Sequence, residues 1–520
     1  MKKGIIALSV VAALSTASFA KDANTQMFEQ IQALKAQIEA LEKKLNTQQP
    51  SVDEKRITKI EKKLDRVSNT ATAAKIQSSG DNIKWDVDFR TQVDNIQYKH
   101  ADGSKSKNNA LLTNRLWLGA AYQADDNTIF KAKLSYNKAF GDTANHSQSN
   151  TQPGYADFDW LTNENATDNT IKLKEAYWLY KNDTLFNTDI PWTISVGRRP
   201  STDGQPINLR NNQEPNSPLS HVVDVEFDGF SLKLDTEKIT GLTGSWFKIC
   251  GGRGLTNAKP RFQFDGTDYA NDDTKNANVD MLGFIAAPYD DGQYSVHINY
   301  AHAWNLIGFT YNQLGAYQSA MTTASTPSAM MDAYSNLSFN DLGDMDFATI
   351  LLKSQGIGNG ISDYLDDTTI FASFAVSKTS PNSSSDPMNS GMLGSLDSET
   401  GTSIWLGINA PCPISPDSAR VGIEWNKGSK YWRSMTYGED TYAGSKIATR
   451  GQAWELYRNQ QLTKALSFGL SYVYMDYDYT GSNSFFGAEG TPYAIGGTQA
   501  NTMNAVESAQ DVRAYMRYKF

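Results

Sequence analysis

The histidine, cysteine and serine residues are the side chains from which nucleophilic, acid–base or metal chemistry would be built. The 520-residue chain holds five histidines and two cysteines, with no Cys-x-x-Cys pair and no Cys/His cluster at zinc spacing. It also lacks the Gly-x-Ser-x-Gly motif that presents a serine nucleophile. The sequence therefore predicts no enzyme, no metal site and no cofactor. A Ser/His/Asp set assembled from distant loops stays an open alternative.

Charged side chains recur at every second position of several otherwise apolar stretches. In residues 83–92, Trp85, Val87 and Phe89 alternate with acidic and basic residues, and a period of two is that of a β-strand. Such a strand needs an apolar medium on one face and water on the other. In the alternative, a soluble two-sided sheet, the charges would face solvent and the apolar set would form a core. If the wet face is the inside of a barrel, the residues that line its lumen are Asp86, Asp88, Arg90, Arg115, Lys131, Lys133 and Arg513.

The last ten residues show this alternation most regularly. Val512, Met516 and Phe520 share one face with Ala514 and Tyr518, whereas charged residues dominate the other. The stretch resembles the closing strand of bacterial outer-membrane barrels, which ends in a phenylalanine that the assembly machinery reads. This resemblance implies that Phe520 is an assembly signal. It also implies that the lipid bilayer and the outer-membrane assembly machinery are partners of the chain.

The first 20 residues have the organisation of a signal peptide. Lys2 and Lys3 precede an apolar run over residues 5–14, and small residues follow it over residues 15–20. This pattern predicts cleavage before Lys21 and export of the chain. The run is shorter than the ~20 residues of a membrane-spanning helix, which argues against the alternative of an N-terminal anchor.

Composition narrows the class of protein further. The formal net charge of −9 at pH 7 argues against nucleic acid as a partner. The mean hydropathy is −0.50, and no second apolar run approaches 18 residues, so helical membrane spans are excluded. A transmembrane barrel passes that test because polar residues alternate inside it. The predicted fold class is all-β, a transmembrane antiparallel β-barrel in the cell outer membrane.

Residues 21–76 are predicted to form periplasmic α-helices of a short coiled coil. Apolar residues recur there at alternating steps of four and three, the spacing of a coiled-coil seam. Pro50 separates two blocks that are out of phase, so we expect two helices rather than one. Residues 77–82 then form a linker to the barrel. The seam of the first block consists of Ile31, Leu34, Ile38, Leu41 and Leu45.

Each helical block is shorter than three heptads and is marginal by itself, so its seam must be buried. Three arrangements remain open: self-association, an intrachain hairpin or plug, and docking onto peptidoglycan or a periplasmic protein. Barrels packed side by side would bring three N-termini together and raise their effective concentration. We therefore expect a homotrimer.

Residues 83–520 are predicted to form the barrel, with about sixteen strands. The predicted connections alternate between short turns and long polar loops, as in outer-membrane barrels, where the short turns are periplasmic. Eighteen strands are the alternative if Tyr431–Tyr442 forms a further hairpin. The predicted strands lie near residues 83–96, 111–122, 128–140, 169–181, 192–198, 223–234, 242–250, 278–288, 293–303, 345–354, 369–379, 402–410, 419–426, 446–458, 465–479 and 507–520.

The two cysteines provide a check on the predicted strand directions. Cys250 lies at the external end of a predicted strand, and Cys412 lies in a predicted periplasmic turn. An apolar band ~25 Å tall would separate them, whereas a disulfide needs Cα atoms within ~7 Å. We therefore expect no disulfide between them.

Four sequence blocks resemble conserved segments of a known family. They are Gly197–Gly204, Asn426–Arg433, Arg450–Tyr457 and Tyr477–Asn483. Through these blocks the chain is similar to the bacterial family known as domain of unknown function 3373, over nearly all of the mature chain, coiled coil included. The resemblance implies an exported porin-like barrel with an N-terminal coiled coil. It implies no substrate and no catalytic residue.

A barrel of about sixteen strands encloses an aqueous channel, so passive diffusion of small polar or ionic solutes is the predicted function. Arg198, Arg199 and Asp203 follow the fifth predicted strand, at the start of a loop that contains proline and glycine. Folded into the lumen, this loop would form a charged constriction, and left outside it would be a solvated loop. The alternative functions are a structural outer-membrane tether, whose coiled coil contacts peptidoglycan or a periplasmic partner, and a barrel-embedded hydrolase.

Overall fold

The computed structural model describes residues 83–141, 171–256, 278–323, 337–357, 360–384, 386–436 and 441–520, together with residues 326, 328, 329 and 332. All of them belong to one unit, Asn82–Phe520. The predicted signal peptide (1–20), coiled-coil helices (21–76) and linker (77–82) lie outside the described residues. The predicted seam lies there too, with Ile31, Leu34, Ile38, Leu41 and Leu45.

Eighteen β-strands occur in the described residues, and sixteen of them close into an antiparallel barrel. In chain order they are β1 (Ile83–His100), β2 (Lys105–Gln123), β3 (Thr128–Ala139), β4 (Ile171–Asn182), β5 (Trp192–Arg199), β6 (Val223–Asp224), β7 (Phe227–Asp235), β8 (Trp246–Thr256), β9 (Asn278–Asp290), β10 (Tyr294–Gly308), β11 (Asn340–Gln355), β12 (Thr369–Pro381), β13 (Thr400–Pro411), β14 (Ala419–Gly428), β15 (Met435–Thr436), β16 (Gly451–Gln461), β17 (Leu466–Tyr477) and β18 (Val506–Lys519). Each wall strand pairs with its neighbour in the chain, and β18 pairs with β1. The wall therefore has no open edge.

The two strands that do not belong to the wall are β6 and β15, which pair with each other in parallel. The prediction of sixteen barrel strands is confirmed. The eighteen-strand alternative is wrong, because β15 lies within the proposed hairpin and pairs with β6 while β14 pairs directly with β16. The predicted strand 223–234 is divided, since its first residues form β6 and the wall strand β7 begins only at Phe227.

Short helices occur in the connections between strands, at Ile207–Arg210, Glu237–Thr240, Tyr311–Thr323, Asp363–Asp366 and Thr498–Thr502. Two 3-10 turns lie at Pro387–Asn389 and Ala488–Gly490. Among the described residues, no helix combines the length and the apolar character that a membrane span requires.

The connections differ in length between the two ends of the barrel. We call the end of the barrel at which Phe520 pairs with Val87 the terminal end. Its connections do not exceed the 13 residues of 356–368, and short turns predicted there at 124–127 and 411–418 are observed at 124–127 and 412–418. At the opposite loop end, connections such as 200–226 and 429–450 are long. β1 and β2 extend past their predicted bounds at the loop end, because backbone pairing continues after the apolar alternation stops.

Apolar side chains on the outward face of the wall are exposed. Ile350 on β11, Phe374 on β12 and Leu456 on β16 are 39%, 45% and 56% exposed. Their neighbours in each strand point inward and are buried, for example Thr349 and Glu455. An apolar outer surface of this extent is the face that a barrel presents to lipid.

Cys250 and Cys412 are both free, so the prediction that they do not pair is confirmed. Cys250 does not end its strand, however. Residues 236–245 form a turn that includes the helix Glu237–Thr240, so β8 begins at Trp246 and Cys250 lies within it.

Candidate functional site

The loop after β5 folds into the barrel, and we call residues 200–226 the first inserted segment. Its outbound half reaches the far side of the wall, where Arg210 Nη1 lies 2.6 Å from Glu455 Oε2 on β16. Arg517 Nη1 on β18 donates to the Asn211 carbonyl at 2.6 Å. Because β16 and β18 lie far from β5 around the wall, these contacts are made across the interior. The loop therefore folds into the interior and does not extend into solvent outside the barrel.

The returning half of the first inserted segment contacts the other side of the wall. Ser217 Oγ accepts a hydrogen bond from Lys248 Nζ at 2.5 Å. The two ring nitrogens of His221 lie 2.7 Å from Ser373 Oγ on β12 and 2.9 Å from Ser403 Oγ on β13. Burial lowers the pKa of His221 to about 3, so this imidazole is neutral at neutral pH. The segment is therefore fixed at both sides of the interior.

A second inserted segment, residues 429–450, also folds inward; the structure describes residues 429–436 and 441–450 of it. Trp432 Nε1 donates to the Ile447 carbonyl at 2.8 Å, which closes the segment on itself. The buried Lys446 ammonium contacts Glu424 on β14 and lies 2.6 Å from Glu455 on β16. Glu455 therefore receives a cation from each inserted segment, which joins the two.

Two wall glycines allow the second inserted segment to approach closely. A Cβ on Gly401 would lie 2.3 Å from the Tyr431 carbonyl oxygen, and a Cβ on Gly428 would lie 2.2 Å from that of Thr449. Neither distance is possible for a real side chain. Glycine at these positions of β13 and β14 therefore lets backbone pack directly on backbone.

The inward faces of β9–β13 carry mostly uncharged side chains, and we call them the apolar wall. The inserted segments bury Leu219, Val222, Trp432 and Ile447 against this wall, which removes apolar surface from water. The wall side chains that contribute to these clusters are Val279, Ala303, Met345, Phe347, Leu351, Phe371, Ala375 and Trp405.

The inward faces of β18 and β1–β4 carry most of the charge, and we call them the charged wall. Arg517, Arg90 and Arg115 stand directly opposite one another on β18, β1 and β2. Asp88, one inward position away, accepts hydrogen bonds from Arg115 Nη2 at 3.2 Å and Arg517 Nε at 2.8 Å. Arg513 Nε donates to Asp94 at 2.6 Å. The charged wall is thus an ordered network of arginines and carboxylates.

An irregularity in β4 adds further charges to the interior. The pairing of β3 with β4 shifts after Lys133, so Lys174 and Glu175 are both buried although they are consecutive. Lys174 Nζ contacts Glu226 and donates to Thr202 at 2.9 Å, both on the first inserted segment. Lys133 Nζ lies 2.5 Å from Glu175.

Most of the residues predicted to line the lumen stand on inward faces of the barrel strands. Asp88, Arg90, Arg115, Lys133 and Arg513 belong to the charged wall, and register also places Asp86 and Lys131 on that face. Arg199 lies on the inward face of β5 by strand alternation, and Asp203 is buried in the first inserted segment. Arg115 and Lys174 lower the pKa of the Asp203 carboxyl despite its burial, which by itself would raise it.

Arg198 differs from the prediction. It pairs with Asp228 at 3.2 Å and stands on the face of β5 that carries Val196, opposite to Arg199. Because consecutive residues of a strand point to opposite faces, Arg198 and Arg199 cannot both line the lumen. Arg198 is therefore on the outward face.

Sequence reasoning missed several interior residues. Arg210 and Lys446 gave no signal, because their pairing depends on loops that fold inward. Glu455 gave one, since it alternates with Trp454 and Leu456 in the predicted strand 446–458. Trp117 had a signal, since it stands at an inward position of β2 where an apolar side chain breaks the charged pattern. The Arg115 guanidinium stacks 3.5 Å from the centre of its ring, and Lys174 lies 5.0 Å away. Trp117 is thus a platform for cations.

Two cavities border the charged wall, one toward each end of the barrel. The cavity at the loop end is lined in part by Tyr98 on β1 and Val506 on β18. The cavity at the terminal end is lined in part by Arg517 and Lys519 on β18. Arg513 lies on the same inward face of β18 between these positions. Within the described residues, no group of three or more His, Cys, Asp and Glu side chains could hold a metal ion.

These features define the class of protein: a closed sixteen-stranded antiparallel β-barrel with an apolar exterior and a charged interior crossed by two inserted segments. Within that class, the chain belongs to the family described as Protein of unknown function (DUF3373), which matches residues 105–520. The coiled coil, which the sequence resemblance included, lies outside the matched residues. A search of curated proteins finds no match.

Several solved barrels are similar to the chain at low sequence identity. An outer-membrane protein OmpT of Vibrio cholerae is 12% identical over 84% of this chain and 97% of its own, with a TM-score of 0.41. An anion-selective porin from Comamonas acidovorans is 12% identical over 84% and 99%, with a TM-score of 0.43. OprB of Pseudomonas putida is 10% identical over 86% and 96%, with a TM-score of 0.43.

Proposed function

We propose that the chain is an outer-membrane, porin-like channel for passive diffusion of small polar or ionic solutes, without enzymatic activity. The observation that carries this proposal is the division of side chains by the wall. Exposed apolar residues cover the outside, whereas charged residues and two cavities follow one wall inside. Lipid on one face and water on the other account for both surfaces.

The two inserted segments determine the width of the proposed pathway. They bury apolar side chains against the apolar wall and fill that part of the interior. Solutes then pass along the charged wall, between the cavity at the loop end and the cavity at the terminal end. We expect a low conductance and exclusion of all but small solutes, because fixed charges and a narrow passage select together.

The proposed location is the outer membrane, with the terminal end in the periplasm. All connections at the loop end except 101–104 are longer than those at the terminal end, and the short connections of outer-membrane barrels are periplasmic. Phe520 is 78% exposed at that end and continues the outward row of β18, in line with a role as assembly signal. We further propose that the predicted coiled coil hangs in the periplasm and holds three chains together. Peptidoglycan or a periplasmic protein is the alternative partner of these helices.

Conductance of the purified protein in planar bilayers tests the channel. We expect small, stable steps, and swelling of proteoliposomes in sugars that stops at a low size limit. Gly401→Val should raise the conductance, since its side chain displaces the second inserted segment from the wall. Gly315→Val is the matched control, because a Cβ there meets no atom within 4 Å.

Bilayers that show no steps above the detergent control would contradict the channel. Hydrolysis of phospholipid or peptide by the same preparation would then favour the barrel-embedded hydrolase. A preparation that does neither but sediments with peptidoglycan would favour the tether.

A further inference from the structure

Arg90 occupies the centre of the arginine row on the charged wall. Arg517 lies directly opposite it on β18, and Arg115 lies directly opposite it on β2. Like charges in directly opposed strand positions repel one another. A row of three arginines therefore needs negative charge close by.

The nearby carboxylates accept hydrogen bonds from the neighbours of Arg90 and not from Arg90 itself. Asp88 accepts from both Arg115 and Arg517, and Asp94 accepts from Arg513. Among the described residues, Arg90 makes no hydrogen bond and no ion pair. Its Nε is buried without a partner. The guanidinium carbon of Arg90 lies 5.8 Å from the centre of the Tyr515 ring.

Arg90 stands among three further arginines, at 115, 513 and 517, and four buried carboxylates, Asp88, Asp94, Asp203 and Asp511. Asp88, Asp94 and Asp511 contact the other three arginines, and Asp203 lies close to Arg115 and Lys174. Arg90 is therefore the arginine of this group that has no hydrogen-bonded carboxylate. Its guanidinium belongs to the inward face along which the cavities at the loop end and the terminal end lie.

We propose that Arg90 is a binding site for small oxyanions, carboxylates or phosphate, in the pathway along the charged wall. A guanidinium presents five N–H donors in a planar fork that matches such anions, and Arg90 has donors that no protein acceptor uses. A bound anion accepts hydrogen bonds from the unused donors of Arg90 and offsets the repulsion between the opposed arginines. Preferential passage of anions follows, and that consequence rests on the proposed channel function, whereas the binding does not.

Two readouts separate the site from the channel. The first is calorimetric titration of the folded barrel in detergent with inorganic phosphate and, separately, with acetate. We expect Arg90→Gln to weaken binding of the anion that the wild type prefers by about tenfold, the value of a charge-assisted hydrogen bond. Arg253→Gln is the control, because Arg253 is exposed on the outer side of the wall and paired with Asp280 at 2.6 Å.

The second readout is the reversal potential of single channels under a salt gradient. We expect wild type and Arg253→Gln to prefer anions, Arg90→Gln to lose that preference, and Arg90→Lys to retain part of it. Heat-modifiable migration verifies that each variant is folded. Equal anion affinity in wild type and Arg90→Gln would overturn the proposal, as would a wild-type preference for cations. A barrel that binds anions through Arg90 but does not conduct would leave the site standing and refute the channel.

Discussion

The apolar wall and the charged wall are built from the same kind of strand but make different contacts inside the barrel. In both walls the outward residues are apolar and exposed, so lipid contact does not distinguish them. The difference lies in the inward residues: Met345, Phe347 and Leu351 on β11, against Asp88, Arg90 and Asp94 on β1. The apolar wall packs against apolar side chains of the inserted segments, whereas the charged wall meets the first inserted segment through polar contacts.

The difference between the two walls shows how a barrel with a fixed number of strands can have a narrowed interior that still carries charged side chains. An inserted loop is held mostly by burial of apolar side chains, which needs apolar partners on the wall. A wall lined by paired charges offers less such surface, and part of it lies where Ile96 on β1 and Ala509 on β18 pack with Ala443 of the second inserted segment. The first inserted segment reaches the charged wall through polar contacts, such as those of Arg517 with Asn211 and of Lys174 with Glu226. The inserted segments therefore bury most of their apolar side chains on the apolar wall.

The largest expected effect concerns the pairing of β1 with β18, which closes the barrel within the charged wall. Phe520→Ala should reduce the assembled barrel to a small fraction of the wild-type amount, because the terminal aromatic is proposed to be the assembly signal. Val87→Ala is the control, since Val87 is also outward and shares two backbone hydrogen bonds with Phe520. Heat-modifiable barrel in isolated outer membranes is the measurement. Equal amounts in both variants would contradict the assembly role.

The next effect tests how the inserted segments are held. Lys446→Met leaves Glu424 and Glu455 buried without the cation between them, so we expect a loss of ~3–5 kcal/mol of stability. Lys238→Met removes an exposed pair with Asp189, whose side chains are 57% and 72% exposed, and should cost less than ~1 kcal/mol. Urea unfolding midpoints compare the two. A Lys446 variant as stable as the Lys238 variant would show that the network does not hold the segments.

A smaller effect concerns the stability of the first inserted segment on the apolar wall at acidic pH. The pKa of His221 falls from its ordinary value of 6.5 to about 3 on burial. His221 therefore binds a proton more readily in the unfolded chain than in the folded barrel. The folded barrel keeps its full stability above pH 6.5 and loses stability as the pH falls from 6.5 toward 3. At pH 5 the loss is about 2 kcal/mol. His221→Gln should remove this part of the pH dependence of the urea midpoint.

Gly315→Val is again the control, because a Cβ there meets no atom within 4 Å and the change neither adds nor removes a titratable group. It should leave the pH dependence of the urea midpoint as in wild type. If His221→Gln also leaves it unchanged, the contacts with Ser373 and Ser403 do not secure the first inserted segment.

Strand number and wall orientation could be predicted because they depend on local pattern. The alternation of Val87 and Asp88, or of Val512 and Arg513, fixes which face meets lipid without knowledge of any other strand. The same alternation, applied to Arg198 and Arg199, would have excluded their shared placement in the lumen. The two arginines were predicted to follow the fifth strand, whereas β5 extends to Arg199, so the alternation applies to both.

The inserted segments could not be predicted, because their contacts join residues far apart in the chain. Arg210 and Glu455 are separated by 245 positions, and nothing near either residue indicates the other. Their sequence is polar and rich in turn-forming residues, as external loops also are. Gly401 and Gly428 carry the missing information, since glycine on the inward face of a strand indicates close approach of another backbone.

The last prediction concerns the helices, whose effect on the pathway should be the smallest. If the seam joins three chains below the membrane, Ile38→Asp with Leu41→Asp places charges inside it and weakens association. Ala33→Asp with Ala40→Asp adds the same charge at positions outside the seam, and should leave association intact. Light scattering of the purified proteins measures the oligomer, and single-channel recording measures each barrel. We expect unchanged conductance in both variants, because the inserted segments and the charged wall belong to the barrel alone. A wild type that is monomeric would refute the trimer, and a conductance that rises in the seam variant would identify the helices as a plug.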